Sequence, residues 1–213
     1  MVKIYLIRHG QTMINVENKI AGQIETDLTE LGKKQALELG QKLRSDNIKF
    51  DAIISSTLRR AKDTAMIISK EINAPVFYDA NLVEFSNGIY EGVVVDELKK
   101  MQFNPPYKTA GFEFSNGADL YNAYSSFDDC YNLLSYPNGE TKIEARDRFM
   151  KAIEKYLIEN PNVENLGVVA HGAVIRFMLL KICPDLLKEK IKNAEARVVF
   201  YDKKQRIFKV NYN

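Results

Sequence analysis

Val2-Lys3-Ile4-Tyr5-Leu6-Ile7-Arg8-His9-Gly10 decides the reading of the fold: a short, bounded apolar run ends in a basic turn marked by histidine and glycine. Leu166-Gly167-Val168-Val169-Ala170-His171-Gly172 repeats the arrangement late in the chain. Short apolar runs bounded in this way read as buried strands of a parallel sheet. Open α/β sheets bind ligands just beyond the carboxyl ends of their strands, so both turns are expected to face one crevice. His9 and His171 are the only 2 histidines in the chain.

Working outward from the first turn, Thr29 to Asp46 reads as an amphipathic helix, with Leu31, Ala36, Leu39 and Leu43 near one face and Thr29 as its N-cap. Phe50 to Ile54 reads as the next strand, Leu58 to Ile72 as a helix ended before Pro75, and Val76 to Tyr78 as a short strand. Glu140 to Glu159 carries a long helix that stops before Pro161, and Ala173 to Ile182 another after the second histidine. Arg197 to Tyr201 and Arg206 to Tyr212 flank a polar turn and read as paired strands. This alternation predicts a three-layer α/β/α sandwich with a mainly parallel sheet, in a single domain over residues 1–213. Residues 101–136 break the rhythm and read as an inserted cap. They hold 9 of the 22 aromatic residues, Pro105-Pro106 and a single basic residue, Lys108. Those aromatics either form a satellite hydrophobic cluster or line the mouth of the site and select the leaving group.

Composition narrows the function classes. The 30 basic and 28 acidic residues leave a formal charge of +2 and are scattered. A nucleic-acid or anionic-membrane partner usually needs a basic stripe, so a small molecule is expected instead. Cys130 and Cys183 lie far apart, fit neither a metal cluster nor a disulfide framework, and read as small semi-buried hydrophobes in a reducing compartment. No apolar run is long enough to span a membrane and the first strand begins without a leader-like segment, so a soluble, cytoplasmic protein is expected. Oligomeric state is not legible.

Arg8-His9-Gly10-Gln11-Thr12, followed by Asn15, resembles the signature of the histidine phosphatase superfamily, the group that contains cofactor-dependent phosphoglycerate mutases and many phosphomonoesterases. Asp27 to Gly32 with Gln35-Ala36 resembles the segment that follows it in that family. Ser55-Ser56-Thr57-Leu58-Arg59-Arg60-Ala61 with Thr64-Ala65 resembles the second-arginine motif, and Leu82-Val83-Glu84 with Gly88 and Glu91-Gly92 the acid motif. Pro137-Asn138-Gly139-Glu140 and His171-Gly172 are similar to the closing pair. The resemblance runs in order along the chain except in the aromatic insert. It implies a phosphoglycerate mutase-like fold and a phosphohistidine intermediate, without a cofactor.

The residue types support that chemistry on their own. Neutral imidazole is a good nucleophile toward phosphorus, and Arg8 and Gly10 around His9 make it the better candidate, the glycine allowing close approach of backbone to phosphate. Phosphoryl transfer needs positioning and neutralisation of the equatorial oxygens, a task suited to Arg8, Arg60 and a His171 kept charged by phosphate dianion. The same cations lower the pKa of His9. Adjacent helical residues point about 100° apart, so Arg59 and Arg60 compete for one place; the resemblance chooses Arg60 and leaves Arg59 to solvent. Asn15 is a further phosphate donor, Gln23 sits where many family members have a polar phosphate contact, and Gly10 and Gly172 line the binding turns. Glu84 is the expected proton donor to the leaving alkoxide, its pKa raised by the dianion, and Glu91 is expected to tie down the turn around Gly88 and Gly92. No Asp, Glu and His grouping suggests a required metal.

These features predict a metal-independent phosphomonoester hydrolase of the histidine acid phosphatase type. Phosphoglycerate mutase is the alternative. Mutases of this family typically place an arginine after the acid glutamate and further basic residues in the insert, whereas here Phe85 follows Glu84 and the insert has only Lys108. A non-catalytic phosphate-binding protein is the second alternative.

Overall fold

The computed structural model describes residues 1–126, 131–183 and 191–210. Its main sheet has six strands in the order β3-β2-β6-β1-β7-β8. These are β1 (Val2–Arg8), β2 (Ala52–Ser56), β3 (Val76–Asp79), β6 (Asn165–Ala170), β7 (Ala196–Asp202) and β8 (Ile207–Lys209). The first four run parallel, β7 is antiparallel to β1, and β8 is antiparallel to β7. The expected mainly parallel, three-layer architecture is therefore present.

Alternation along the strands explains the layers. Ile4 and Leu6 of β1 join Ile54 and Val168 in a core completed by α6 (Lys142–Glu159) and α7 (Gly172–Ile182), through Phe149, Ile153, Ile175 and Met178. Tyr5, Ile7, Ile53 and Val169 point the other way, onto Leu43 of α2 (Glu30–Ser45) and Ala61, Ala65 and Ile68 of α3 (Arg59–Ile72). Side chains of a strand alternate between faces, so each central strand feeds both layers.

Helix ends follow local rules. Thr29 caps α2 by accepting from the Gly32 N–H, as expected. Thr141 and Glu144 form a capping box that starts α6 at Lys142, two residues later than the sequence suggested. Strand β2 is displaced by two residues from its predicted span, and Phe50 is buried ahead of it as a packing residue. Leu31 is half exposed instead of core-facing. The buried stripe of α2 is Gly32, Ala36, Gly40 and Leu43, a spacing that keeps to one face and leaves position 31 off it. Small residues on that stripe bring α2 close to the turn after β1: a Cβ on Gly10 would lie 2.3 Å from the Gly32 carbonyl oxygen, and one on Gly32 only 2.1 Å from that of Gln11.

The expected cap holds a short helix α4 (Val95–Lys100) leading into it, a hairpin of β4 (Gln102–Thr109) and β5 (Phe112–Asn116), and α5 (Gly117–Ser125). Its apolar residues are not a satellite. Phe114, Leu120, Tyr124 and Tyr136 belong to the same core cluster as Phe85, Phe149 and Phe177. Lys142, almost fully buried at the start of α6, donates to the carbonyls of Ala123 and Ser126 at the end of α5. Cys183 is partly buried, whereas Cys130 lies outside the described residues. Among the described residues, no helix is long and apolar enough to cross a membrane.

Gly32→Ala is expected to destabilise the protein by about 1–3 kcal/mol, because the new methyl meets backbone that cannot swing away. An unchanged urea midpoint for this variant would refute that account of the α2 contact.

Candidate active site

Parallel pairing of β1 with β6 puts Arg8 opposite Ala170, so the next residue of each strand, His9 and His171, leaves the sheet at the same edge. The His9 N–H donates to the Ala170 carbonyl at 3.0 Å, and the two imidazole rings stand 5.2 Å apart between centroids. Both histidines are buried. Nδ1 of His9 lies 2.7 Å from the Gly10 carbonyl oxygen. A carbonyl only accepts, so Nδ1 carries the proton and the neutral ring has its lone pair on Nε2. Burial, and then Arg60 and Arg8, hold the His9 pKa well below the ordinary histidine value.

Arg60, in the first turn of α3, is fully buried, whereas Arg59 is exposed and pairs with Asp27 at 2.9 Å. The adjacent arginines thus divide between interior and solvent. Arg60 donates through Nη1 and Nη2 to the carbonyls of Ile24 and Gly22, both at 2.7 Å. Arg8 donates through Nη1 to the Ile191 carbonyl. Nε of Arg8, Nε of Arg60 and Nδ1 of His171 are buried and have no hydrogen-bond partner among the described residues. Buried polar groups are nearly always partnered, so three orphans from one cluster mark a place for an acceptor. Nε2 of His171 lies 2.7 Å from the Ser56 hydroxyl at the end of β2. Burial first, then Arg60, His9 and Arg8, lower the His171 pKa well below its ordinary value. The neutral imidazole is thereby favoured, and an anion beside it would act in the opposite direction.

Glu84 follows β3 on a loop and caps α7, whose N-cap residue His171 makes no side-chain cap bond of its own. Its Oε1 accepts from Phe85 and Val174, and Oε2 from Ala173. The loop is clamped from α6. Arg148 makes a two-pronged pair with Glu140 at 2.9 Å and also donates to the carbonyls of Asn81, Val83 and Glu84, while Glu140 accepts from Ser86. Glu91 accepts from the Asn87 N–H and holds the following turn, as expected.

Other expected binding residues take different positions. Gly10 gives its N–H to Thr64, whose hydroxyl donates to the Arg60 carbonyl, so this glycine joins the turn to α2 and α3 and its N–H is committed within the protein. The side-chain oxygen of Asn15 accepts from Thr12 and Asn193, leaving Nδ2 as its donor. Gln23 donates to the Glu84 carbonyl at 3.0 Å and so supports the loop that carries the carboxylate. Gly172 packs on the Arg8 side chain, 3.3 Å separating its virtual Cβ from Nε.

Ser56, Thr64, Arg148 and Asn193 were not singled out by sequence reasoning. Ser56, Thr64 and Glu140 lie inside motifs the sequence displays, but Asn193, which donates to the His9 carbonyl, has no local signal. Arg176 of α7 was also missed. It shares with Glu84, Phe85, Tyr121, Tyr124 and Phe177 the wall of a cavity of about 180 Å³. A count of cations restricted to the insert passes over it.

The buried cluster suits a tetrahedral anion: donors of one sign surround a neutral imidazole with a directed lone pair. Comparison with known proteins agrees. The pattern of the histidine phosphatase superfamily (branch 1) matches residues 4–120 and 116–212. The metal-independent phosphoserine phosphatase of Arabidopsis thaliana is 34% identical over 201 residues, 93% of this chain and 76% of that protein. A phosphoserine phosphatase structure from Entamoeba histolytica superposes with a TM-score of 0.72 at 26% identity, covering 95% of this chain and 92% of the other. For the fold alone, a mycobacterial glucosyl-3-phosphoglycerate phosphatase superposes at 0.78 with 24% identity, over 98% and 96% of the two chains. On these matches, and with its two histidines and two arginines gathered at one sheet edge, the chain belongs to the histidine phosphatase superfamily.

Proposed function

We propose that this protein hydrolyses small phosphate monoesters without a metal, through a phosphoryl group carried on Nε2 of His9. The observation that carries this reading is the set of buried, unpartnered donors on Arg8, Arg60 and His171 around a neutral His9. Relatives named as phosphatases support the same reaction class.

In the first step the Nε2 lone pair attacks phosphorus, the P–O bond to the alcohol breaks, and Glu84 gives its proton to the departing oxygen. Arg8, Arg60 and His171 hold the equatorial oxygens, where charge accumulates. Arrival of a dianion reverses the field at His171 and favours its protonated form. In the second step water attacks phosphorus, Glu84 takes the proton, and the P–N bond breaks to release phosphate. Glu84 suits both steps because it is close enough to the cluster to interact electrostatically with both Arg8 and Arg60. The donor set is cationic, which matches an anion and gives a metal ion little to bind. Water is favoured over a second substrate hydroxyl as acceptor: a phosphoglycerate mutase must hold two phosphates, and Arg176 is a single additional cation.

Three outcomes test this. Hydrolysis of p-nitrophenyl phosphate is expected to persist in excess EDTA and to disappear in His9→Ala; activity retained by His9→Ala would overturn the nucleophile. Arg148→Lys breaks the two-pronged hold on Glu140 and so displaces Glu84. Its kcat is expected to fall about 10- to 100-fold on alkyl phosphates and far less on aryl phosphates, which need little protonation to leave. Equal losses on both would reduce Arg148 to a purely structural residue. Finally, both histidines have folded pKa values below the unfolded one. Below about pH 6.5 the unfolded chain binds protons that the folded chain does not, so stability falls with pH, by about 1.4 kcal/mol per pH unit for each group until its lowered value is reached. Urea unfolding between about pH 7.5 and pH 5.5 reads this slope, and a flat profile would contradict a neutral buried pair.

A further inference from the structure

Ser56 ends β2 fully buried, and its hydroxyl joins two parts of the site. Its Oγ accepts from the N–H of Leu58, the N-cap residue of α3, at 3.2 Å and lies 2.7 Å from Nε2 of His171. The backbone beneath it is pinned on both sides, Ser55 pairing with Val169 of β6 and Ser56 with Asp79 of β3. The hydroxyl is therefore held in register with His171, which follows β6 directly.

A neutral imidazole has one N–H and one lone pair, and the bond made at one nitrogen decides what the other presents. Suppose Nε2 carried the proton. Ser56 Oγ would then receive two N–H groups, and its own proton would have no acceptor among the described residues. Nδ1 would also turn a bare lone pair toward the place where the anion is expected. With the proton on Nδ1, the hydroxyl donates to Nε2 while accepting from Leu58, and the Nδ1–H joins Nε of Arg8 and Nε of Arg60 as a third unpartnered donor. Buried polar groups are nearly always satisfied, so the second arrangement is the one the junction permits.

From this accounting we infer that Ser56 is a positioning residue: its hydroxyl fixes the tautomer of His171, so that the ring meets the phosphoryl oxygens with an Nδ1–H whether it is neutral or charged. The phosphoryl part rests on the phosphatase reading, whereas the tautomer does not. A neutral ring already donates, so holding the anion does not wait for a proton. When the dianion favours charging, the second proton goes to Nε2, on the Ser56 side, and the Nδ1–H is undisturbed. The hydroxyl must then turn to accept from Nε2 and gives up its own acceptor. Ser56 thus makes charging costly unless an anion sits at Nδ1 to offset it.

Because the chain has only 2 histidines, long-range proton–nitrogen correlation NMR of protein labelled with nitrogen-15 histidine reads the tautomers directly, with His9→Ala leaving the His171 ring alone. In phosphate-free buffer above the ordinary histidine pKa, His171 is expected to show a protonated Nδ1 and an unprotonated Nε2, and to keep the Nδ1 proton when inorganic phosphate is added. A His171 ring protonated on Nε2 alone would overturn the inference whatever the activity. Ser56→Ala is expected to give a mixture of tautomers and to lower kcat on p-nitrophenyl phosphate by about 10- to 100-fold, the size of effect known for removing groups that orient metal-bound histidines. Ser56→Thr, which keeps the hydroxyl, is expected to retain the native tautomer. A purely Nδ1-protonated ring in Ser56→Ala would show that another group sets the tautomer and would overturn the role of Ser56. Absence of turnover by a native protein whose His171 does carry the Nδ1 proton would overturn the phosphatase reading and leave the Ser56 assignment standing.

Discussion

Two guanidinium groups and two imidazoles are buried together at the carboxyl edge of the sheet, and the cost of placing any further positive charge there is the constraint on which the site depends. Desolvation and the arginines together keep His9 and His171 unprotonated. The arginines are held in place by backbone carbonyls: Arg60 by Gly22 and Ile24, Arg8 by Ile191. A carbonyl supplies partial negative charge without neutralising the cation. The cluster therefore retains a strong preference for an anion, and the same field that would attract phosphate keeps the proposed nucleophile unprotonated.

The fold serves that constraint through the β1 and β6 pairing. Their register brings the two histidines together although they are separated by most of the chain, and β2 beside β6 adds Ser56 under His171. Close contact between Gly10 and Gly32 lets α2 press on the turn after His9, and Thr64 ties that turn to Arg60. The general acid candidate is fixed differently, by capping α7 and by a loop clamped through Arg148 and Glu140. His9 and Glu84, the proposed nucleophile and proton donor, are thus anchored on separate elements.

The sheet and both histidines were legible because short apolar runs ending in a marked turn are a local pattern. Burial of Arg60 and exposure of Arg59 followed from helical geometry together with the family's motif. What could not be read depends on contacts across long sequence separations. Asn193 supports His9 from 184 positions away, and Arg148 reaches the Glu84 carbonyl from 64 away. An arginine on a long amphipathic helix has no local mark that distinguishes inward from outward use, so Arg148 and Arg176 were passed over. Leu31 was misplaced because its hydrophobicity suggested a core face that small residues in fact occupy. The close approach of Gly10 to α2 is likewise a long-range contact that the turn itself does not display.

The most direct test is the site of the phosphoryl group in enzyme quenched during turnover and mapped by tandem mass spectrometry, with phosphorus NMR to distinguish the ring nitrogens. The hydrogen bond from Nδ1 to the Gly10 carbonyl predicts a single acid-labile, base-stable label on Nε2 of His9. A label on Nδ1 or on His171, or turnover in which no phosphorylated histidine forms, would contradict the account.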